Sequence, residues 1–174
     1  MTAGESTILA GIEVPSTDPV FLALVFAVHI PLGIASVAIG AIAMLSRKCR
    51  GRHSKFGTIY FWCLLALVSS ATLLSLMRWA ENYHLFILGT MSFACAWMGR
   101  AALRGRWPYW VRLHIAGMGL AYVLMLVAFY VDNGKQLPLW KDLPHFTYWL
   151  IPLAVGIPLI VRALLRPPLA SATR

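Results

Sequence analysis

Five histidines are the residues that packing explains least in this strongly apolar chain. His29 lies in the middle of a long apolar run, His114 about one turn inside another, His53 in a basic loop, and His84 and His145 at the ends of apolar runs. An ionisable group inside a membrane is costly unless it is partnered, although a mostly neutral imidazole costs less than lysine or aspartate. We therefore interpret His29 as a candidate ligand or proton-relay group that faces the interior of a helix bundle. The alternative is a histidine that only hydrogen-bonds a neighbouring serine, threonine or backbone carbonyl.

A second candidate site is formed by two residues on one predicted helix face. His114 and Met118 are four residues apart, so they share that face, and Tyr122 continues it. A histidine and a methionine together can ligate haem iron or copper, whereas methionine is also an ordinary packing residue. The sequence does not identify a cofactor; a b-type haem and copper are the candidates, with His29, His114, Met118 and His53 as the candidate ligands. A loop histidine such as His53 is the poorest axial ligand of the four.

His84 and His145 are candidate ligands for a zinc or copper ion. Three acidic residues, Glu81, Asp132 and Asp142, accompany them at the same predicted side of the membrane. The spacing does not match a compact motif such as His-Glu-x-x-His. The alternative interpretation is that these groups are solvated residues at the membrane interface.

Composition places the histidines in a membrane protein. The chain has 174 residues, of which 60% are hydrophobic and 12% charged. A soluble domain carries about 25% charged residues, so more apolar side chains are present than one globular core buries. The net charge of +9 does not indicate nucleic-acid binding, because the basic residues flank apolar runs instead of interleaving with aromatic residues. The first 19 residues lack the basic start of a cleavable signal peptide.

The apolar runs predict an all-α fold of five transmembrane helices, since about 20 residues are needed to cross a bilayer. We expect a polar tail over residues 1–19, the transmembrane domain over residues 20–165 and a second tail over residues 166–174. The predicted spans are residues 20–45, 58–77, 84–103, 111–131 and 146–165.

The distribution of charge predicts the orientation of these helices. Of the 15 basic residues, five lie in residues 47–57, four in residues 100–112 and three in residues 162–174. Arg78, Lys135 and Lys141 lie in the alternate connections, and the six acidic residues lie in those connections or in residues 1–19. Loops rich in lysine and arginine stay in the cytoplasm. The pattern therefore predicts an outside N-terminus and a cytoplasmic C-terminus.

Two stripes of small residues indicate which helix faces pack against other helices. Such stripes face neighbouring helices, because small residues allow close approach. Proline should kink the first span at Pro31, and the fifth span should be bent or locally unwound by Pro152 and Pro158. The stripes are His29, Gly33, Ser36 and Gly40 in the first span, and Gly89, Ser92, Ala96 and Gly99 in the third.

The three cysteines are expected to be free thiols. Cys49 lies in the loop predicted to be cytoplasmic, where the compartment is reducing, and Cys63 and Cys95 lie inside apolar runs. Their spacing shows no pairing, so a disulfide framework is not expected.

Several short motifs, covering about residues 20–165, resemble an uncharacterised family of predicted bacterial membrane proteins classed as a domain of unknown function. The resemblance implies a helical protein of the bacterial inner membrane and implies no activity. Family members carry Lys-Gly at the start of the basic loop, where this chain has Lys48-Cys49 and places its glycine at Gly51. The motifs are His29-x-x-x-Gly33, Arg52-His53-x-x-x-Gly57, His114-x-x-x-Met118-x-x-x-Tyr122, Tyr130-Val-Asp-Asn-Gly, Leu137-Pro-Leu-Trp, Leu143-Pro-His145 and Leu150-Ile-Pro.

The leading functional hypothesis is a polytopic inner-membrane protein with a histidine-containing site within the bundle that binds haem or a metal for redox chemistry. The sequence leaves open whether the protein is an enzyme. One alternative is a small-solute transporter or channel that uses the proline-kinked spans. Another is a structural or assembly subunit that binds partner helices, or a second copy, through its small-residue stripes. No nucleotide-binding loop, nucleophile elbow or pair of intramembrane carboxylates is present.

Overall fold

A computed structural model describes residues 7–9, 12–14, 16–48, 51–138 and 140–166. Within these residues the chain is mostly helical, with one short hairpin near its start and turns between the helices. Strand β1 (Thr7–Leu9) pairs antiparallel with strand β2 (Ile12–Val14), and Leu9 lies opposite Ile12. We predicted only a polar tail here. The two segments are rich in β-branched residues, which favour the extended backbone.

Five helices are long and apolar enough to cross a membrane, as predicted. Large apolar side chains remain exposed on them, among them Ile34 at 67%, Trp97 at 61% and Val155 at 60%. In a membrane these side chains contact lipid. The protein is therefore an integral membrane protein. The five helical spans are Pro19–Leu45, Arg52–Met77, Trp79–Gly105, Trp110–Gln136 and Phe146–Leu165.

The first span begins at a well-defined helix cap. The Asp18 side chain accepts hydrogen bonds from the backbone N–H groups of Val20 at 2.8 Å and Phe21 at 3.4 Å. Pro19 occupies the first turn of the helix. A backbone N–H at this position would have no acceptor within the helix, so proline's lack of an N–H costs no hydrogen bond. This cap starts helix α1 (Pro19–Ala23).

The irregularity of the first span precedes Pro31. Residues Leu24–His29 form a π-helical segment, and helix α2 (Ile30–Leu45) follows it with Pro31 in its first turn. A proline ring in an α-helix clashes with the carbonyl four residues earlier. The π-helical segment lies directly before this first turn of α2. The backbone therefore departs from α-helical geometry over six residues, and the last of these is His29.

Helix α3 (Arg52–Met77) begins inside the loop predicted over residues 47–57. Gly51 precedes it with a φ of 127°, a backbone conformation that side chains disfavour and glycine adopts readily. At the end of α2, the Lys48 ammonium donates a hydrogen bond to the Met44 carbonyl oxygen. A lysine at this position satisfies one of the carbonyls that a helix end leaves without an intrahelical partner.

Helix α6 (Phe146–Leu165) remains one helix although it contains Pro152 and Pro158. We predicted that this span is bent or locally unwound, and of these two alternatives local unwinding is wrong. Proline is tolerated inside membrane helices because neighbouring groups and small local adjustments satisfy the freed carbonyls.

Among the described residues, Cys63 and Cys95 are free thiols, as predicted. Cys49 lies outside the described residues. Both described thiols are half-buried within helices, where they act as small apolar packing residues.

The described residues belong to two compact units. The first, Met1–Ile87 with Asn133–Asp142, contains α2 packed on α3 and a cluster around Phe21 and Leu74. The second comprises Leu88–Asp132 with Leu143–Arg174. The remaining helices are α4 (Trp79–Gly105), α5 (Trp110–Asn133) and a 3-10 turn at Gly134–Gln136.

Candidate cofactor site

His29 is held by a serine of the neighbouring helix. Its Nδ1 lies 2.9 Å from the Ser70 hydroxyl oxygen, and that hydroxyl donates to the Leu67 carbonyl oxygen at 2.7 Å. Because the serine proton is engaged by the carbonyl, Nδ1 is the donor in the His29–Ser70 bond. A neutral His29 therefore carries its lone pair on Nε2. Ser70 is 3% exposed, so this arrangement lies within the helix pair.

The helix face that carries His29 packs against α3, as its small residues predicted. Ser36 is fully buried, and a side chain at Gly33 would meet Leu67 at 3.9 Å. In the described part of the chain, the Ser36 hydroxyl has no hydrogen-bond partner, nor does the His29 ring make a second hydrogen bond. His29 also ends the π-helical segment, and such segments are frequent at functional sites. This face therefore combines an oriented imidazole with two polar groups that make no hydrogen bond within the described residues, the Ser36 hydroxyl and the second ring nitrogen of His29.

His53 is oriented in the same manner but at the other end of the helix pair. Its Nδ1 lies 2.8 Å from the Ala43 carbonyl oxygen, so Nδ1 is again the donor. Ala43 is 14 residues beyond His29 in the same span, which corresponds to about 21 Å at the helical rise. The structure therefore does not bring His29 and His53 to one metal centre.

His114 lies in the second unit, where α5 packs on α4. Its Nδ1 is 3.1 Å from the Gly99 carbonyl oxygen, which makes Nδ1 the donor there too. Met118 lies at the same contact between α4 and α5, because a Cβ atom placed at Gly99 would be 3.1 Å from the Met118 backbone nitrogen. His114 and Met118 thus share one half-buried face of α5, as their spacing predicted.

The contact between α4 and α5 is unusually close. A Cβ atom placed at Gly117 would lie 2.6 Å from the Cys95 carbonyl oxygen and 2.8 Å from the Gly99 backbone. Ser92, which is fully buried, donates across the same pair to the Ala121 carbonyl oxygen at 2.7 Å. Small residues allow helix backbones to approach in this way in membranes. The predicted stripe on the third span therefore faces a neighbouring helix.

The two histidines predicted to bind a zinc or copper ion lie against aromatic rings. His84 makes an edge contact with Tyr83 at 5.7 Å between ring centroids, and His145 makes one with Tyr148 at 5.6 Å. Glu81 forms an ion pair with Arg78 across one helical turn. Within the described ranges, no group of three or more histidine, cysteine, aspartate or glutamate side chains is arranged to hold a metal ion.

The sequence analysis allowed for a serine partner of His29 but did not identify Ser70 as that partner. The second span contains several serines and threonines, and three of them donate to backbone carbonyls of their own helix. A fourth, Ser75, donates to the Asn82 carbonyl oxygen at the beginning of α4. Ser70 also makes a hydrogen bond with the His29 ring. Its only sequence signal was a polar residue in an apolar run, which does not specify which face meets the first span.

Comparisons of the chain with protein-family models, with curated proteins and with solved structures find no match. The fold defines the class of protein, an integral membrane protein with five helices able to span a bilayer. Any more specific function has to be inferred from the site residues themselves.

Proposed function

We propose that this chain is a haem-binding redox protein of the bacterial inner membrane, in which His29 would hold the haem iron. The observation that carries the proposal is the orientation of the His29 ring by Ser70. Iron takes the lone pair of an imidazole nitrogen whose partner nitrogen is held by a hydrogen bond. In His29 that hydrogen bond is made by Nδ1, so Nε2 would be the atom that holds the iron.

The number of ligands favours haem over a bare metal ion. A structural zinc site takes four protein ligands, and catalytic zinc sites take three. A haem supplies the equatorial nitrogens itself and is held in globins and peroxidases by one proximal histidine. A single oriented histidine such as His29 can therefore be sufficient for haem, which when bound would provide a redox-active iron.

The residues around His29 suit an axial ligand. Ser70 fixes the ring orientation, and its own bond to the Leu67 carbonyl fixes the direction of the serine proton. Gly33, one turn away on the same face, adds no side-chain bulk. His114 and Met118 are a separate candidate pair in the second unit, where the Gly99 carbonyl oxygen orients the histidine.

A haem titration of the full-length chain in detergent tests this proposal. Addition of hemin should produce a Soret band shifted from that of free hemin, and His29→Ala should abolish the shift. Ser70→Ala should weaken haem affinity about 10–100-fold, because loss of an outer partner has that effect on ligated histidines. His84→Ala is the matched control and should leave the titration unchanged. His114→Ala, titrated separately, asks whether the second unit also contributes.

A well-folded protein that gives no Soret shift with added hemin would refute the haem assignment. Retention of the full shift in His29→Ala would remove His29 from the site. Helical content measured by circular dichroism should match the parent chain in every variant, so that loss of binding is not confused with loss of structure.

We also infer that the N-terminus lies outside the cytoplasm and the C-terminus inside. Support comes from the charges, since 12 of 15 basic residues fall in alternate connections and the last segment. Single cysteines introduced as Lys48→Cys and Lys135→Cys, in a chain without its natural cysteines, test the orientation. A membrane-impermeant maleimide applied to intact cells should label only the second. Labelling of both positions from one side would contradict this topology.

A further inference from the structure

A groove of about 410 Å³ lies between the beginning of α5 and the end of α6, both in the second unit. Its position at helix ends places it at the depth of lipid headgroups, because both helices are long enough to cross the bilayer. Its wall combines a cation and a phenol with apolar side chains. The lining residues are Tyr109, Arg112, Leu113, Ala116, Leu164 and Leu165.

The apolar part of the groove is open to its surroundings. Leu165 is 80% exposed, and Leu113, Ala116 and Leu164 are only half-buried. Apolar surface of this kind gains free energy when hydrocarbon covers it. An acyl chain lying along the groove would supply that cover.

The polar part of the groove favours an anion. Arg112 is exposed in the first turn of α5, and a helix N-terminus adds partial positive charge from its backbone N–H groups. The end of α6 has the opposite partial charge, but Arg162 and Arg166 lie there and offset it. No acidic residue occurs in residues 88–131 or 143–174 of the sequence. A phosphate in the groove would therefore meet cations without a competing carboxylate on these segments.

The loop before α5 presents aromatic residues at the groove. Tyr109 lines the groove with a φ of 59° and is 76% exposed. A positive φ is uncommon for residues other than glycine, so the loop holds Tyr109 in a specific conformation. Arg106 lies over the Trp110 ring at 5.5 Å from its centroid. Tyrosine and tryptophan are typical of the headgroup layer, where one end of the side chain is apolar and the other is wet.

We propose that this groove is a binding site for one anionic phospholipid. Arg112 and the beginning of α5 bind the headgroup phosphate, and Leu113, Ala116 and the two leucines of α6 contact an acyl chain. Basic pockets between membrane helices bind acidic headgroups in this manner. The site does not include His29, which lies in the first unit.

Native mass spectrometry of the full-length chain tests the site. The protein is released from nanodiscs of equal parts phosphatidylglycerol and phosphatidylcholine, and the retained lipids are counted. Phosphatidylglycerol should be retained preferentially. Arg112→Gln should lower its retention about fivefold, as expected for the loss of one cation near a membrane surface. Arg104→Gln, which removes an exposed charge that does not line the groove, is the matched control and should have little effect.

A second variant separates the lipid from a free anion. Ala116→Phe fills the apolar wall and leaves Arg112 in place, so it should also lower retention of phosphatidylglycerol. Arg112→Lys should restore part of the preference if Arg112→Gln has merely lost charge. Equal retention of both lipids would overturn the proposal, as would equal losses in Arg112→Gln and Arg104→Gln. Retention that Ala116→Phe leaves unchanged and that inorganic phosphate abolishes would show an anion site only, and would overturn it too.

Discussion

Replacement of Gly117 by alanine should separate α4 from α5 and release His114. The added Cβ would lie 2.6 Å from the Cys95 carbonyl oxygen, whereas ordinary contacts begin at 3.4 Å. The helices therefore have to move apart locally by about 0.8 Å, because the opposing atoms are backbone and cannot rotate away. If the His114–Gly99 distance grows by a similar amount from 3.1 Å, it leaves hydrogen-bonding range.

The expected cost of Gly117→Ala is about 2–3 kcal/mol in the free energy of unfolding. Overpacking of a tight contact costs about 1–3 kcal/mol, and a hydrogen bond between membrane helices contributes about 0.6 kcal/mol on average. Reversible unfolding in mixed detergent micelles, followed by circular dichroism, gives the difference directly.

Two glycine variants make this measurement decisive. Gly99→Ala should cost less than Gly117→Ala, since its added Cβ would meet backbone atoms only at 3.1–3.3 Å. Gly57→Ala should be neutral or stabilising by about 0.5–1 kcal/mol, because no atom lies within 4 Å and alanine favours the helix. An unfolding free energy for Gly117→Ala within about 0.5 kcal/mol of the parent chain, or the reverse order of the three variants, would refute the close-contact reasoning.

Two further stability predictions use the same unfolding assay. Ser92→Ala should destabilise the protein by about 0.6 kcal/mol, because the hydrogen bond to the Ala121 carbonyl oxygen is lost. Ser36→Ala should stabilise it by about 1 kcal/mol, because the buried Ser36 hydroxyl has no hydrogen-bond partner among the described residues. Equal effects of the two substitutions would contradict both assignments. Gly156→Ala should destabilise by about 1–3 kcal/mol, because the added Cβ would overlap the stiff Val123 side chain. Val123→Ala in the same chain should restore part of the lost stability. Purely additive effects in the double variant would contradict that contact.

Much of the fold could be predicted from the sequence because the bilayer imposes a length and a composition. The fifth span was predicted over residues 146–165 and is Phe146–Leu165 in the structure. In the first span, the spacing of His29, Gly33 and Ser36 correctly predicted a face against another helix. These features are local, since a backbone in lipid has to bond within its own helix and a stripe follows from helical periodicity.

The sequence by itself determined the five helices long and apolar enough to cross a membrane, their ends to within six residues, and the faces carrying His29 and His114. Only the tertiary structure decided which atoms those faces meet. The pairing of His29 with Ser70, the carbonyl that orients His114 and the groove beside Arg112 depend on how far one helix is shifted and rotated against its neighbour. That shift follows from many small contacts between side chains distant in the chain, which no local pattern encodes.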